Sequence, residues 1–231
     1  MNVDDLLAYL SIGGSNILAS PLAEWMTSSP RFAAFVEVYR NKIRKKIRIE
    51  PEAEGLRDLL IELEAAYLLL QEQRFEIGYE PYARDESRSP DFAVTYRTNL
   101  IFNVEVTRMR AGVAERDGRL IDIVCSKLSQ MMPNMINVLM IFAEDNTGAA
   151  LDVAEAMKRL KVRAERGEVG LMTQFDFRNT PDFFKYFVRL SAVMMRSKHE
   201  NSLSQFAALW ENRQAKQPLP LAIRTSLQKC G

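Results

Sequence analysis

The chain has 231 residues, 47% of them apolar, and a formal net charge of +1 at pH 7. That is enough to bury one sizeable core with helical additions, and it leaves no global field to attract a nucleic acid, so such a partner needs local patches. Two widely separated cysteines, Cys125 and Cys230, and the single histidine His199 argue for a reducing compartment and against a disulfide framework, a zinc finger, histidine-based triads and multi-histidine metal sites.

In chain order, residues 3–10 carry acids in a first turn and predict a short helix stopped by Gly13-Gly14. A second helix is expected from Pro21, with Leu22 and Trp25 on one face. From Pro30, the residues Phe32, Phe35, Val36, Tyr39, Ile43 and Ile47 recur at helical spacing and predict an amphipathic helix ending before Pro51. Its basic residues Arg40, Lys42, Arg44, Lys45, Lys46 and Arg48 suit a solvated helix C-terminus, or a ridge that contacts phosphates. Residues 52–73 predict a long helix with Leu56, Leu59, Leu60, Leu63, Ala66, Tyr67 and Leu70 in one stripe, flanked by Glu62 and Glu64.

Arg74 to Pro81 alternates apolar and polar residues as a half-buried strand does, and a polar loop over 82–89 follows. Phe92–Tyr96 and Leu100–Thr107, rich in aromatic and β-branched residues and separated by Arg97-Thr98-Asn99, predict two strands in a hairpin. In that hairpin Asp91, at the start of the first strand, lies beside Glu105, near the end of the second. A carboxylate between Val104 and Val106 is costly unless paired or bound to a cation, and two converging carboxylates make an oxygen site for a hard divalent metal. The plainer alternatives are that Asp91 is a turn residue bonding nearby amides and that Glu105 pairs with an arginine across the sheet.

After an arginine- and glycine-containing segment, 108–118, a helix is expected over 119–132, and the apolar run 135–143 predicts a strand covered on both faces. Further helices are expected over 148–166, from Pro181 through Phe183, Phe184, Phe187, Leu190, Val193 and Met194, and over 202–214 with Leu203, Phe206, Leu209 and Trp210. The tail from Pro218 reads as a strand or arm, and the C-terminal helices as core or as a homodimer surface. The domain reading is an N-terminal helical region 1–50, an α/β core 51–146 and a C-terminal helical region 147–231. With no charged-then-apolar leader and no apolar run of about 18 residues, a cytoplasmic protein with no membrane partner is expected.

Pro90-Asp91, then thirteen residues, then Glu105-Val106-Thr107 resembles the PD-(D/E)xK nuclease superfamily. The order over 52–143, helix, three strands, helix, strand, is that of its restriction-endonuclease-like core. The resemblance implies an α/β fold with a central mixed sheet flanked by helices, and a Mg²⁺-dependent (or Mn²⁺-dependent) phosphodiesterase acting on nucleic acid, DNA first. It implies metal ligation by Asp91, Glu105, the Val106 carbonyl and an acid of the first core helix, Glu62, which better matches the family's Glu-Leu-x-x-Ala setting, or next to it Glu64. It departs at Thr107, which stands where the family has lysine: a hydroxyl can hold a water but supplies no positive charge. Arg108 or Arg110, or Lys127 beside Gln130 on the following helix, are the candidates to restore that charge. Otherwise the fold is kept without cleavage, as a nucleic-acid-binding or assembly module.

Overall fold

The computed structural model describes residues 1–10, 17–49, 52–82, 89–110, 116–144, 151–198 and 202–230. Four helices lead the chain, α1 (Val3–Leu10), α2 (Ala19–Ser28), α3 (Pro30–Ile49) and α4 (Ala53–Gln71). Three strands follow, β1 (Phe75–Tyr79), β2 (Phe92–Tyr96) and β3 (Leu100–Met109), then α5 (Arg116–Leu128) and β4 (Ile136–Glu144). The remainder is α6 (Val153–Glu165), α7 (Val169–Gln174), α8 (Thr180–Phe187), β5 (Ala192–Lys198), β6 (Gln205–Glu211) and α9 (Leu221–Lys229).

All six strands form one mixed sheet in sequence order. β1, β2 and β3 pair antiparallel, β3, β4 and β5 pair parallel, and β6 returns antiparallel to β5. Two parallel neighbours need crossovers, which α5 and the α6–α8 group supply. β4 sits in the middle and is buried on both sides. Its Ile136, Val138, Met140 and Phe142 join a core with α1–α4 and α9, while Leu139, Ile141 and Ala143 join a second core with α5–α8. This is why the strand reads as an unbroken apolar run.

Helix α4 is buried on more than one stripe, with Leu59, Ile61, Leu63, Glu64, Ala65, Ala66, Leu68, Leu69 and Leu70 all enclosed. It lies between α3 and the sheet, so both sides of it need apolar residues. The α3–α4 layer is tied together by aromatic contacts: Trp25 stacks on Tyr67 at 5.4 Å, Phe32 meets Tyr67 edge-on at 5.5 Å, and Phe35 packs 5.9 Å from Tyr79 of β1. Each such ring buried adds roughly 1.5–3 kcal/mol. No described helix is long and apolar enough to cross a membrane.

The C-terminal third corrects the reading of a helical region. The helix from Pro181 ends at Phe187, and Val193 and Met194 belong to β5; residues 205–211 are the edge strand β6, not a helix. β5 is enclosed on both faces, and Ser191-Ala192-Val193-Met194-Met195 carries no alternation that separates a strand from a buried helix. Leu203 and, in β6, Phe206, Leu209 and Trp210 mimic helical spacing among good helix formers, and pairing of β6 with β5 overrides that preference. The tail is no arm either: α9 packs Ile223 and Leu227 into the first core.

Gly167 shows how α6 stops. Its φ of 61° is the left-handed conformation glycine adopts without strain. The Gly167 and Glu168 N–H groups then bond back to Ala164 O (3.0 Å) and Arg163 O (3.2 Å), the double closure of a Schellman cap. The expected stop at Gly13-Gly14, residues 83–88 of the polar loop, residues 111–115, the start of the 148–166 helix and His199 lie outside the described residues.

Candidate active site

Phe92 of β2 pairs with Val104 of β3 and with Tyr79 of β1, which sets Asp91 opposite Glu105 on one side and Glu80 on the other. The Asp91 carbonyl accepts the Glu80 N–H at 2.8 Å, and its carboxylate Oδ2 accepts the Val106 N–H at 2.7 Å. The aspartate thus fastens the start of β2 to both neighbours. Burial pushes the Asp91 carboxyl well above its usual range, and the charges of Glu105 and Glu62 push the same way. The Val106 N–H and Lys46 oppose them without prevailing.

Glu105 is buried on the face of β3 that looks toward α5. There Lys127 Nζ donates to Glu105 Oε1 at 2.7 Å and to Gln130 Oε1 at 3.2 Å. Thr107 shares that face, two residues along the strand, and lies beside Ile141 of β4. Val106 points the other way, into the first core, with its N–H engaged by Asp91.

Arg108 is committed elsewhere. Its side chain is 3% exposed, and its guanidinium holds Glu54 and Asp58 of α4 and Glu144 of β4, the last two at 2.9 and 2.8 Å. Arg110, 64% exposed, also turns to Glu54. Neither guanidinium turns to Asp91 or Glu105, and of the three candidate cations it is Lys127 that bonds Glu105.

Glu62 enters from α4. Its Oε2 accepts from Lys46 Nζ and from the Tyr79 hydroxyl, both at 2.6 Å. Lys46 also reaches Glu80 Oε1 at 2.8 Å. Burial pulls the Lys46 ammonium toward neutrality, but Glu62 and Glu80 outweigh it and its pKa is raised. Burial, with Glu62 beside it, pushes the Tyr79 hydroxyl far above its usual value, so it remains a neutral donor. Glu64, two residues on, turns away: it is fully buried, pairs with Lys198 at the end of β5, and accepts the Ser204 N–H at 2.7 Å.

The basic run of α3 is therefore not one ridge. Arg40 and Arg44 lie over the ring of Tyr9, Lys42 and Lys46 turn to the end of β1, and Lys45 and Arg48 are exposed. The chain matches no family model, no curated protein and no solved structure. Its chemistry is read from its own geometry.

At this end of the sheet four acids, Glu62, Glu80, Asp91 and Glu105, meet the lysines Lys42, Lys46 and Lys127. Carboxylate oxygens are the donor type a hard divalent cation takes, but three lysine ammonium groups share this end of the sheet with them. Among the described residues, protein donors hold one oxygen each of Asp91 (Oδ2), Glu105 (Oε1) and Glu62 (Oε2). Among the same residues no group of three or more His, Cys, Asp or Glu side chains is gathered closely enough to hold a metal by itself. Sequence reasoning gave Tyr79 and Glu80 no role and took Lys46 only as one of a basic run. The available signal was the i, i+4 pair Lys42/Lys46, which shares a helix face with Tyr39 and so points into the aromatic layer rather than to water.

Proposed function

We propose that the protein is a metal-dependent phosphodiesterase acting on nucleic acid, DNA first, with a restriction-endonuclease-like core of the PD-(D/E)xK type. The observation that carries this reading is Asp91 opposite Glu105 at the end of a hairpin, with Lys127 of the next helix on Glu105. The order α4, β1, β2, β3, α5, β4 supports it, being the order the resemblance implies. Asp91, Glu105 and Glu62, with the Val106 carbonyl, are the groups to hold Mg²⁺ or Mn²⁺. When bound, the ion supplies a water of lowered pKa and stabilises charge on a scissile phosphate.

The chain's own residues supply the rest. Lys127 places an ammonium beside Glu105 and compensates for Thr107. Gln130 keeps that ammonium on the α5 side, and the Thr107 hydroxyl, on the same face of β3, is a group that can hold a water.

A second reading is favoured by Thr107 itself and by the absence of a ready three-acid cluster among the described residues: a nuclease-like fold without cleavage, serving to bind nucleic acid or to assemble. Calorimetric titration with Mg²⁺ and Mn²⁺, beside Asp91→Ala and Glu105→Ala, decides between them. Uptake by the wild type that both folded variants lose, together with metal-dependent nicking of plasmid DNA, upholds the phosphodiesterase. Nucleic-acid binding that weakens with salt and needs no metal transfers the assignment to the binding module.

A further inference from the structure

Charge is unevenly placed along this chain. Its formal net charge is +1, yet α3 alone carries seven basic residues against one acid, Glu37. Lys42 and Lys46 are drawn to the end of β1, where carbonyl oxygens and acids hold them. Arg40, Arg44, Lys45 and Arg48 remain on the sides of the helix turned away from the core, and among the described residues no carboxylate pairs with any of them. Glu37 takes the N-terminal ammonium instead, at 2.9 Å. The contrast is with α6, the other strongly basic helix, where Lys158, Arg159, Lys161 and Arg163 each meet an acid.

These four cations are arranged. Arg40, Arg44 and Arg48 recur at every fourth residue, about 6 Å apart along the helix axis, and Lys45 stands beside them. The guanidinium carbons of Arg40 and Arg44 lie 5.7 and 4.7 Å from the centre of the Tyr9 ring, so one aromatic of α1 seats two like charges. The Tyr9 hydroxyl donates to Asn41 Oδ1 and pins that ring to α3, while Arg40 Nη1 donates to the Glu37 carbonyl at 3.0 Å. Two guanidinium groups on one ring repel each other, and Arg44 Nε is enclosed there with no acceptor. An anion on the outer side of the helix offsets both costs, since it screens the repulsion and gives a partly desolvated cation its counter-charge.

We propose that the outer side of α3, with Arg40 and Arg44 on the Tyr9 ring and Lys45 and Arg48 beside them, is the surface on which this protein receives the phosphodiester backbone of a nucleic acid. The inference rests on the nucleic-acid part of the reading above, and it holds for a cleaving enzyme and for a binding module alike. Three of the four cations are arginines, whose planar fork matches phosphate oxygens in pairs. On its other flank the same helix meets Glu62 and Glu80 through Lys46, so a strand held on α3 lies about one helix diameter, 10–12 Å, from the acids. A membrane surface fits less well, because the apolar stripe of α3 is spent on the first core and leaves Val38 and Ile49 as its exposed large apolar residues.

The test is fluorescence anisotropy of a labelled duplex DNA oligonucleotide, in EDTA and across a salt series. The proteins are the wild type, Lys45→Gln, Arg48→Gln, their double variant, Arg44→Lys, and Arg213→Gln, which removes the same charge from an exposed turn after β6. Lys45 and Arg48 are exposed, so melting temperatures are expected to stay close to wild type. Each single glutamine variant of α3 is expected to weaken binding and to lower the slope of log affinity against log salt by about 1, and the double variant by about 2. Arg44→Lys keeps the charge without the fork, and is expected to weaken binding at an unchanged slope. Arg213→Gln is expected to bind as the wild type does. Wild-type slopes in the Lys45 and Arg48 variants, or an equal fall in Arg213→Gln, overturn the inference and leave the nucleic-acid reading standing. A wild type that binds neither the duplex DNA nor its RNA counterpart at low salt overturns both. Binding to vesicles of anionic phospholipid in place of either, lost in the same variants, gives the surface to a membrane and overturns the inference as well.

Discussion

Lys127 and Glu105 meet at 2.7 Å although they come from different elements, the ammonium from the last turn of α5 and the carboxylate from within β3. The pair is 23% and 9% exposed, too enclosed for the screening that makes surface pairs nearly worthless. Lys127→Met leaves Glu105 enclosed beside Asp91 with no cation on this face. If Lys127 carries the charge that Thr107 lacks, phosphodiester cleavage is expected to fall by about 10²–10³-fold, the range seen when one preorganised electrostatic donor is removed. Lys127→Arg is expected to recover part of it. Initial rates on plasmid DNA in Mg²⁺ and Mn²⁺ provide the check.

Asp91 makes the site pH-sensitive in a defined direction. Its folded-state carboxyl titrates well above the usual 3.8, first through burial and then through Glu105 and Glu62. The folded state therefore holds a proton that the unfolded chain gives up, and stability is lost as pH rises above the ordinary carboxyl range. Asp91→Asn keeps an acceptor for the Val106 N–H without the charge. Its melting temperature is expected to exceed that of wild type at pH 7, and the gap to close as pH falls below about 4. Thermal melts from pH 3 to pH 8 without metal test this, and millimolar Mn²⁺ is expected to narrow the gap at pH 7 by stabilising only the wild type.

The hairpin and the central strand were legible because period and burial agree there: Phe92, Val94 and Tyr96 alternate into one core, and β4 is apolar on both faces. Asp91 and Glu105 could be paired on paper because antiparallel register follows from a short corner. β5 and β6 were not legible, since an enclosed run such as Val193-Met194-Met195 fits a helix as well as a strand. The bonding of Glu62 by Lys46 and Tyr79 was hidden for another reason. It joins Lys46, Glu62 and Tyr79, three residues on three elements, through a layer packing that no local pattern encodes.

The cysteines are expected to be inert in the native state. Both are buried, at 2% exposure, and burial pushes each thiol up to about 12, so almost no thiolate is present at neutral pH. Cys125 lies in the second core, while Cys230 closes α9 and gives its carbonyl to the buried Arg196 at 2.8 Å. Labelling with a disulfide-exchange reagent at pH 7.5 is expected to proceed only at the rate of unfolding and to report two thiols in denaturant. Rapid labelling of either one in native buffer contradicts the packing of that element.

Glu62 and Glu64, two residues apart on α4, are expected to separate cleanly by mutation. Glu64→Gln removes the charge that faces Lys198 while keeping an acceptor for the Ser204 N–H. Breaking a fully buried ion pair costs about 3–5 kcal/mol, but Lys198 is 19% exposed and can reach water, so a smaller cost of about 2 kcal/mol is expected. For a chain of this length that is a fall of roughly 4–8 °C in melting temperature. The Mn²⁺ affinity of the folded fraction is expected to be unchanged, because Glu64 faces β5 rather than the hairpin. Glu62→Gln reverses the pattern: its carboxylate is 18% exposed and already borders the acids, so stability is expected to move little and metal uptake to weaken. The two variants, measured side by side by calorimetry and thermal melt, distinguish a helix glutamate that ties the sheet to the C-terminal strands from one that serves the site. Equal losses of affinity in both would mean that α4 acts on the hairpin as a rigid whole, and the separate role given to Glu62 would fall.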